Sequence, residues 1–316
     1  MSDDRHPHPV PLAWRLLDRI EGLVAALWPF RSGLAVGRAF LLPAVLLVGL
    51  LLAGLGIMLE HSMHELSLAT YRLKPEYSAA NYLTFLERPV YIHVLMRTLL
   101  AAVIVTLVTI TLAFPYAYVL VRTRSRSARK FLLVALFLPF FIGQVVRAYG
   151  WLIILGKEGI LSTFLTRFGI DPPGMIYNYP AVIFGLIQYM LPFAILLIVP
   201  AITAISEEVE LASEGLGARW PSTFRHVVLP MASPGIVGAS VVVFTLTLTD
   251  FAMPEILGGG KNDFIANLIY DSFFQISDPG LGSALSIILV AVGSILVAGV
   301  FHLAGPGTLG VRGVRP

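Results

Sequence analysis

The feature that most constrains this chain is a series of apolar runs, each long enough for a membrane helix, separated by short polar loops. Crossing the hydrocarbon of a bilayer takes about 20 apolar residues in a helix, because every backbone group must be bonded within the segment. Six such runs are read near 39–59, 92–121, 131–155, 178–202, 231–254 and 281–304. Composition agrees, since only 13% of the 316 residues are charged and 57% are hydrophobic, against about 25% charged in a soluble domain. So few charges could not cover a surface facing water, whereas a surface facing lipid needs none. The predicted fold is all-α, a polytopic bundle of six transmembrane helices. A polar tail is placed at 1–38, the transmembrane domain at 39–304 and a short tail at 305–316. Pro43, Pro115, Pro139 and Pro192 within the runs predict kinked helices whose neighbours satisfy the freed backbone groups. Gly49, Ala53 and Gly54 would let a second helix approach the first run, although ordinary membrane composition accounts for them equally.

Lysine and arginine counts on alternate loops set the orientation. With the N-terminus inside, the inner segments hold fourteen and the outer loops six; Arg97 and Arg147 fall within runs. Both termini are therefore predicted to be cytoplasmic. The cluster from Arg122 to Lys130 is the strongest anchor, and it needs no lipid-binding role to explain it. Residues 1–38 are too long and too polar to be a cleaved signal peptide, and Val10 to Phe30, with two tryptophans, has the spacing of a helix lying on the membrane surface. A net charge of +3 is no nucleic-acid signal, and the lack of cysteine excludes disulfides and thiolate chemistry.

The longest inner loop, 206–230, reads as two short helices. Ser206 is placed to cap the first, whose opening turn holds Glu207, Glu208 and Glu210 at the positive end of the helix dipole. Gly215 and Gly217 interrupt it. Pro221 suits the first turn of a second helix that carries Trp220, Phe224, Val227 and Val228 and stops before Pro230. Apolar side chains displayed on a cytoplasmic loop require a partner to cover them.

This loop resembles the EAA loop of ABC importer permeases: a Glu-Ala-Ala triplet, three residues, Gly, nine residues, then Ile-x-Leu-Pro. With Gly217 as the glycine, Val227 takes the Ile place and Leu229 and Pro230 take the Leu-Pro places. The triplet departs: its places hold Leu211, Ala212 and Ser213, with Glu210 just before and Glu214 just after, either of which could supply the polar contact. Asn81 to Leu86, Val146 to Gly159, Thr249 to Lys261 and Asn267 to Asp271 resemble permeases of the spermidine/putrescine class, a likeness covering about residues 80–305. The resemblance implies a type I importer permease of the MetI-like fold, with 206–230 as the coupling helix seated in an ATP-hydrolysing subunit. It implies a heterodimer with a second permease, two copies of the ATP-binding subunit, and a periplasmic substrate-binding protein. ATP and magnesium would be bound by the ATPase; no cofactor or metal is assigned to this chain.

Gly258-Gly-Gly-Lys261 has neither the spacing nor the following Ser or Thr of a phosphate-binding loop, so the driving energy must come from another chain. Substrate contacts are expected from polar or aromatic groups at membrane depth, where an ionisable side chain is costly. Asp250, preceded by Thr245, Thr247 and Thr249 late in the fifth run, is the leading candidate for an ammonium group. Tyr149, Trp151 and Tyr189 could supply cation–π faces and Gln188 a neutral hydrogen bond. Two alternatives stand beside this reading: Asp250 paired with Arg147 or Arg97, and the aromatics as an interfacial belt. Arg147 and Arg97 would equally serve an anion, so an amino acid, another organic cation or an anion remain alternative cargoes. Glu60-His-Ser-Met-His-Glu65 could ligate a metal, but a solvated membrane edge is the simpler reading. A membrane enzyme would need clustered His, Asp or Ser on one face, and the seven histidines are scattered. A secondary transporter would show an internal repeat and would need no apolar cytoplasmic helix.

Overall fold

The computed structural model describes the backbone of residues 33–304 and the side chains of 40–302; both tails and the surface-helix reading of Val10 to Phe30 lie outside those residues. The chain divides into two compact units, Met1–Ile57 and Met58–Pro316. Residues 33–57 of helix α1, Gly33–Ser62, are the described part of the first. It begins earlier than the sequence placed it, so that Arg38 lies within the helix.

The second unit opens with an antiparallel hairpin of β1, His64–Ser67, and β2, Arg72–Tyr77, paired His64 to Tyr77 and Leu66 to Leu73. The all-α reading missed this element because it lies in a polar loop without apolar periodicity. The Asn81 amide donates to the carbonyls of Ser62 and His64, each at 2.9 Å. Gly280 completes the seat: a Cβ there would stand 2.3 Å from the His64 carbonyl oxygen.

Helices α2 (Ala80–Glu87), α3 (Pro89–Arg122), α4 (Arg126–Phe137), α5 (Gln144–Leu155), α6 (Ile160–Arg167) and α7 (Tyr179–Thr203) follow. Then come α8 (Glu207–Gly215), α9 (Trp220–Thr223), α10 (Leu229–Leu248), α11 (Ala252–Gly258), α12 (Ile265–Tyr270) and α13 (Pro279–Ala304). The core is the three-way packing of α3, α7 and α10. Lipid is as apolar as leucine, so close van der Waals approach rather than dehydration must hold such helices together. The sequence provides for it: Ala101, Val105, Thr109, Ala113 and Ala117 recur every four residues as a buried stripe of small side chains on α3. Gly235 of α10 lies so near Ala201 of α7 that a Cβ would sit 2.3 Å from the alanine methyl.

Among the described residues, five helices are long and apolar enough to cross a membrane. The third predicted span, 131–155, is not one straight helix: Arg126–Phe141 and Gln144–Arg167 meet at 100°. A 3₁₀ turn at Leu138–Phe141 containing Pro139 makes the break, and the Arg147 guanidinium donates to the carbonyls of Pro139 and Ile142 that the turn exposes. Two boundaries in the fifth span also differ from expectation. Its helix ends at Leu248 rather than 254, and at its other end it runs unbroken through Pro230 to Trp220. A π turn at Phe224–Val228 widens the hydrogen-bond register just before Pro230, which has no N–H to donate.

Candidate functional site

Two regions gather the functional residues, and the first is the 206–230 segment. Ser206 occupies the cap position of α8 but makes no side-chain cap bond, leaving the acidic first turn to complement the dipole. Gly217 has φ of +90°, and its N–H donates to the Glu214 carbonyl at 2.8 Å as the chain turns out of the helix. The Ser213 and Thr223 hydroxyls bond at 3.0 Å, tying α8 to α9. The outward face is apolar: Leu216 is 91% exposed, Leu211 59% and Trp220 54%, with Leu229 also exposed and Glu214 beside them. Ala212 and Pro230 are exposed as well.

Two of the expected contact residues turn inward instead. Phe224 is half-buried, stacked on Trp220 at 5.3 Å and edge-on to Phe114 and Tyr118 of α3 at 5.3 and 5.9 Å. Glu210 faces α3, taking Nε and Nη2 of Arg122 at 2.9 and 2.5 Å on one oxygen and the Tyr118 hydroxyl at 2.7 Å on the other. The choice between Glu210 and Glu214 thus takes a geometric form, with the first carboxylate engaged inside the permease and the second exposed.

The second region is a row of clefts where the α4–α5 break meets the break after α10. Gln144, Arg147, Tyr189 and Phe193 line one of about 160 Å³. Gln144 and Tyr189 also line a larger one of about 340 Å³ with Thr249, Asp250 and Phe251. Arg147 continues into a third of about 390 Å³ with Trp151 and Gln188, whose side chains bond to each other at 3.3 Å. Asp250 is only 6% exposed; one oxygen accepts the Met253 N–H at 3.0 Å, holding the start of α11, and the other accepts the Gln144 side-chain amide. It forms no ion pair among the described residues. Arg97 donates to the Lys261 carbonyl at 2.8 Å, and Arg147 lies 5.3 Å over the Tyr189 ring with its Nε buried and unbonded. Among the described residues neither Asp250 nor Arg147 has an ion-pair partner, and both adjoin Tyr189.

Tyr149 lines none of the three clefts and is 52% exposed. Gln144 was not singled out from the sequence, though an amide directly after Gly143 at a helix start was a visible signal. Outside the spans, Asp263 is held above the usual carboxylate range by burial and by the charges of Glu255 and Asp271. His64 Nδ1 contacts the Lys74 carbonyl at 2.8 Å and its ring packs on Tyr77, so the His-Ser-Met-His stretch is part of the hairpin base.

The family model described as binding-protein-dependent transport system inner membrane component matches residues 90–308. This chain belongs to that family. The match spans the α3, α7 and α10 core, the 206–230 segment and the row of clefts. A relative, the inner membrane ABC transporter permease protein YdcU of Escherichia coli K12, is 30% identical over 247 residues, covering 74% of this chain and 78% of that protein. The spermidine/putrescine transport system permease protein PotB of Salmonella typhimurium SL1344 is 34% identical over 227 residues, 71% of this chain and 78% of its own. Among solved structures, a bacterial ABC transporter for import of the acidic polysaccharide alginate superposes with a TM-score of 0.71 at 18% identity, over 90% of this chain and 98% of that one. The methionine ABC transporter MetNI gives 0.50 at 18% identity over 70% and 96%. The fold is thus the helical MetI-like permease fold. The chain is a multi-pass inner-membrane permease subunit of an ABC importer and not an enzyme; ATP hydrolysis belongs to a separate subunit.

Proposed function

We propose that this permease forms the translocation path for a polyamine handed over by a periplasmic binding protein. It works beside a second, related permease and two copies of an ATP-binding subunit that holds ATP and magnesium. Both termini lie in the cytoplasm, as the lysine and arginine distribution supports. The outward apolar face of 206–230, with Leu211, Leu216, Trp220 and Leu229 and flanked by Glu214, docks on the ATPase. Gly217 sets the turn that presents this face.

The observation that carries the polyamine reading is Asp250, a carboxylate enclosed beside a cleft with an amide and a backbone N–H as partners and, among the described residues, no cation. Its environment favours a charge-matched hydrogen bond to an ammonium group, and Tyr189 supplies a π face next to it. Relatives named for spermidine and putrescine transport at 33% and 34% identity support the same cargo. A hydrogen bond to a charged group contributes about 1.5–3 kcal/mol. Asp250→Asn in the reconstituted transporter is therefore expected to raise the apparent KM for spermidine about tenfold or more. Unchanged affinity for both spermidine and putrescine would exclude Asp250 from the path.

The unbonded Arg147 Nε favours a second reading, a solute carrying an anionic group. Competition of labelled spermidine uptake by unlabelled amino acids distinguishes the two.

A further inference from the structure

Helix α3 is held at both ends by side chains that the transport site does not use. At one end, Arg122 and Tyr118 enclose Glu210 of α8; the two charged side chains are only 15% and 13% exposed, and Arg122 also donates to the Ile205 carbonyl at 2.7 Å. Trp220 and Phe224 pack edge-on against Tyr118 at 6.1 and 5.9 Å, beside the largely buried pair. At the other end, the buried Thr98 hydroxyl oxygen accepts the Ile265 N–H at 3.0 Å, and Arg97 donates to the Lys261 carbonyl. Tyr179 Oη donates to the Arg97 carbonyl at 3.1 Å. From Thr98 to Arg122 the helix continues without a break through Pro115, a length of roughly 36 Å at 1.5 Å per residue.

We propose that Glu210 is a positioning residue: with Arg122 and Tyr118 it latches the 206–230 segment to α3. Motion imposed on α8 then travels along α3 to the 261–265 segment on the opposite side of the membrane. The physical reason is the low local dielectric. An ion pair as buried as this one strongly resists separation, because removing either partner leaves a buried charge uncompensated. Exposed Arg124 and Glu207, 3.9 Å apart and 90% and 56% exposed, offer no such grip. The covalent route through α9 and α10 moves the fifth span, and the latch adds α3, which lies 88 residues away in sequence from Glu210. The two helices then move as one body. This inference rests on the 206–230 segment being the ATPase dock.

The test uses the complete transporter in proteoliposomes, with three readouts: retention of the ATPase subunit on purification, ATP hydrolysis, and spermidine uptake per ATP hydrolysed. Tyr118→Phe removes one hydrogen bond and keeps the charge balance; uptake per ATP is expected to fall about threefold with ATPase retention unchanged. Arg122→Glu and Glu210→Arg singly should lower that ratio at least tenfold, and combining them should recover much of the loss. Three results would overturn the latch: loss of ATPase retention in Tyr118→Phe, an unchanged uptake ratio in all variants, or a double exchange no better than the singles. Leu216→Asp reports separately on the docking surface. If it leaves ATPase retention intact, the docking reading fails, whatever the latch variants show.

Discussion

Gly217 shows how a single backbone angle positions a surface. At φ of +90° an L side chain is strained even though nothing stands within 4 Å of where its Cβ would be, so the penalty is conformational and not a clash. Strain of this kind amounts to about 1–3 kcal/mol. Gly217→Val is expected to insert into the membrane at normal abundance while ATPase capture drops severalfold, and Gly217→Asn should fall between, because asparagine tolerates the left-handed region. Equal capture by all three, read by co-purification, would mean the turn does not present the docking face. Gly217 was legible in the sequence because the resemblance fixed its spacing to Leu229 and Pro230. The inward turn of Glu210 was not. Its partners Tyr118 and Arg122 lie 92 and 88 residues away, and no local periodicity links them. Gln144, 106 residues from the Asp250 to which it donates, escaped notice for the same reason.

Among the elements, the long apolar helices were readable and their interruptions were not. Hydropathy counts apolar side chains, and Leu138-Pro-Phe-Phe141 is as apolar as any helix turn. What breaks the helix is a missing N–H at Pro139, and what makes the break tolerable is Arg147 Nη2 donating to two carbonyls; neither enters a hydropathy sum. The hairpin at His64–Tyr77 was missed because its anchoring is done by Asn81 and Gly280 from outside the strands. Helix contact, in turn, depends on residues too small to register as hydrophobic. Gly235→Ala places a methyl in the space held by Ala201, so α7 and α10 must separate. Overpacking of this kind costs about 1–3 kcal/mol. A lowered melting temperature of the detergent-solubilised protein is expected, and an unchanged one would show that the interface yields freely.

For the molecule as a whole, the arrangement of spans in the bilayer can be read directly, because the sequence holds no cysteine and any introduced thiol is unique. Lys74→Cys in the hairpin should react with an impermeant maleimide added outside spheroplasts, and Leu216→Cys only after the membrane is opened. Labelling of both from the same side would invert or break the proposed orientation. The unbroken helix from Trp220 to Leu248 has a mechanical corollary. At 1.5 Å per residue its 29 residues form an arm of roughly 44 Å. Leverage along such an arm is large: pivoting it at one tip by about 5° swings the other through roughly 4 Å. A tilt that small at the aromatic tip is therefore magnified, where the arm ends beside Asp250, into a step longer than a hydrogen bond.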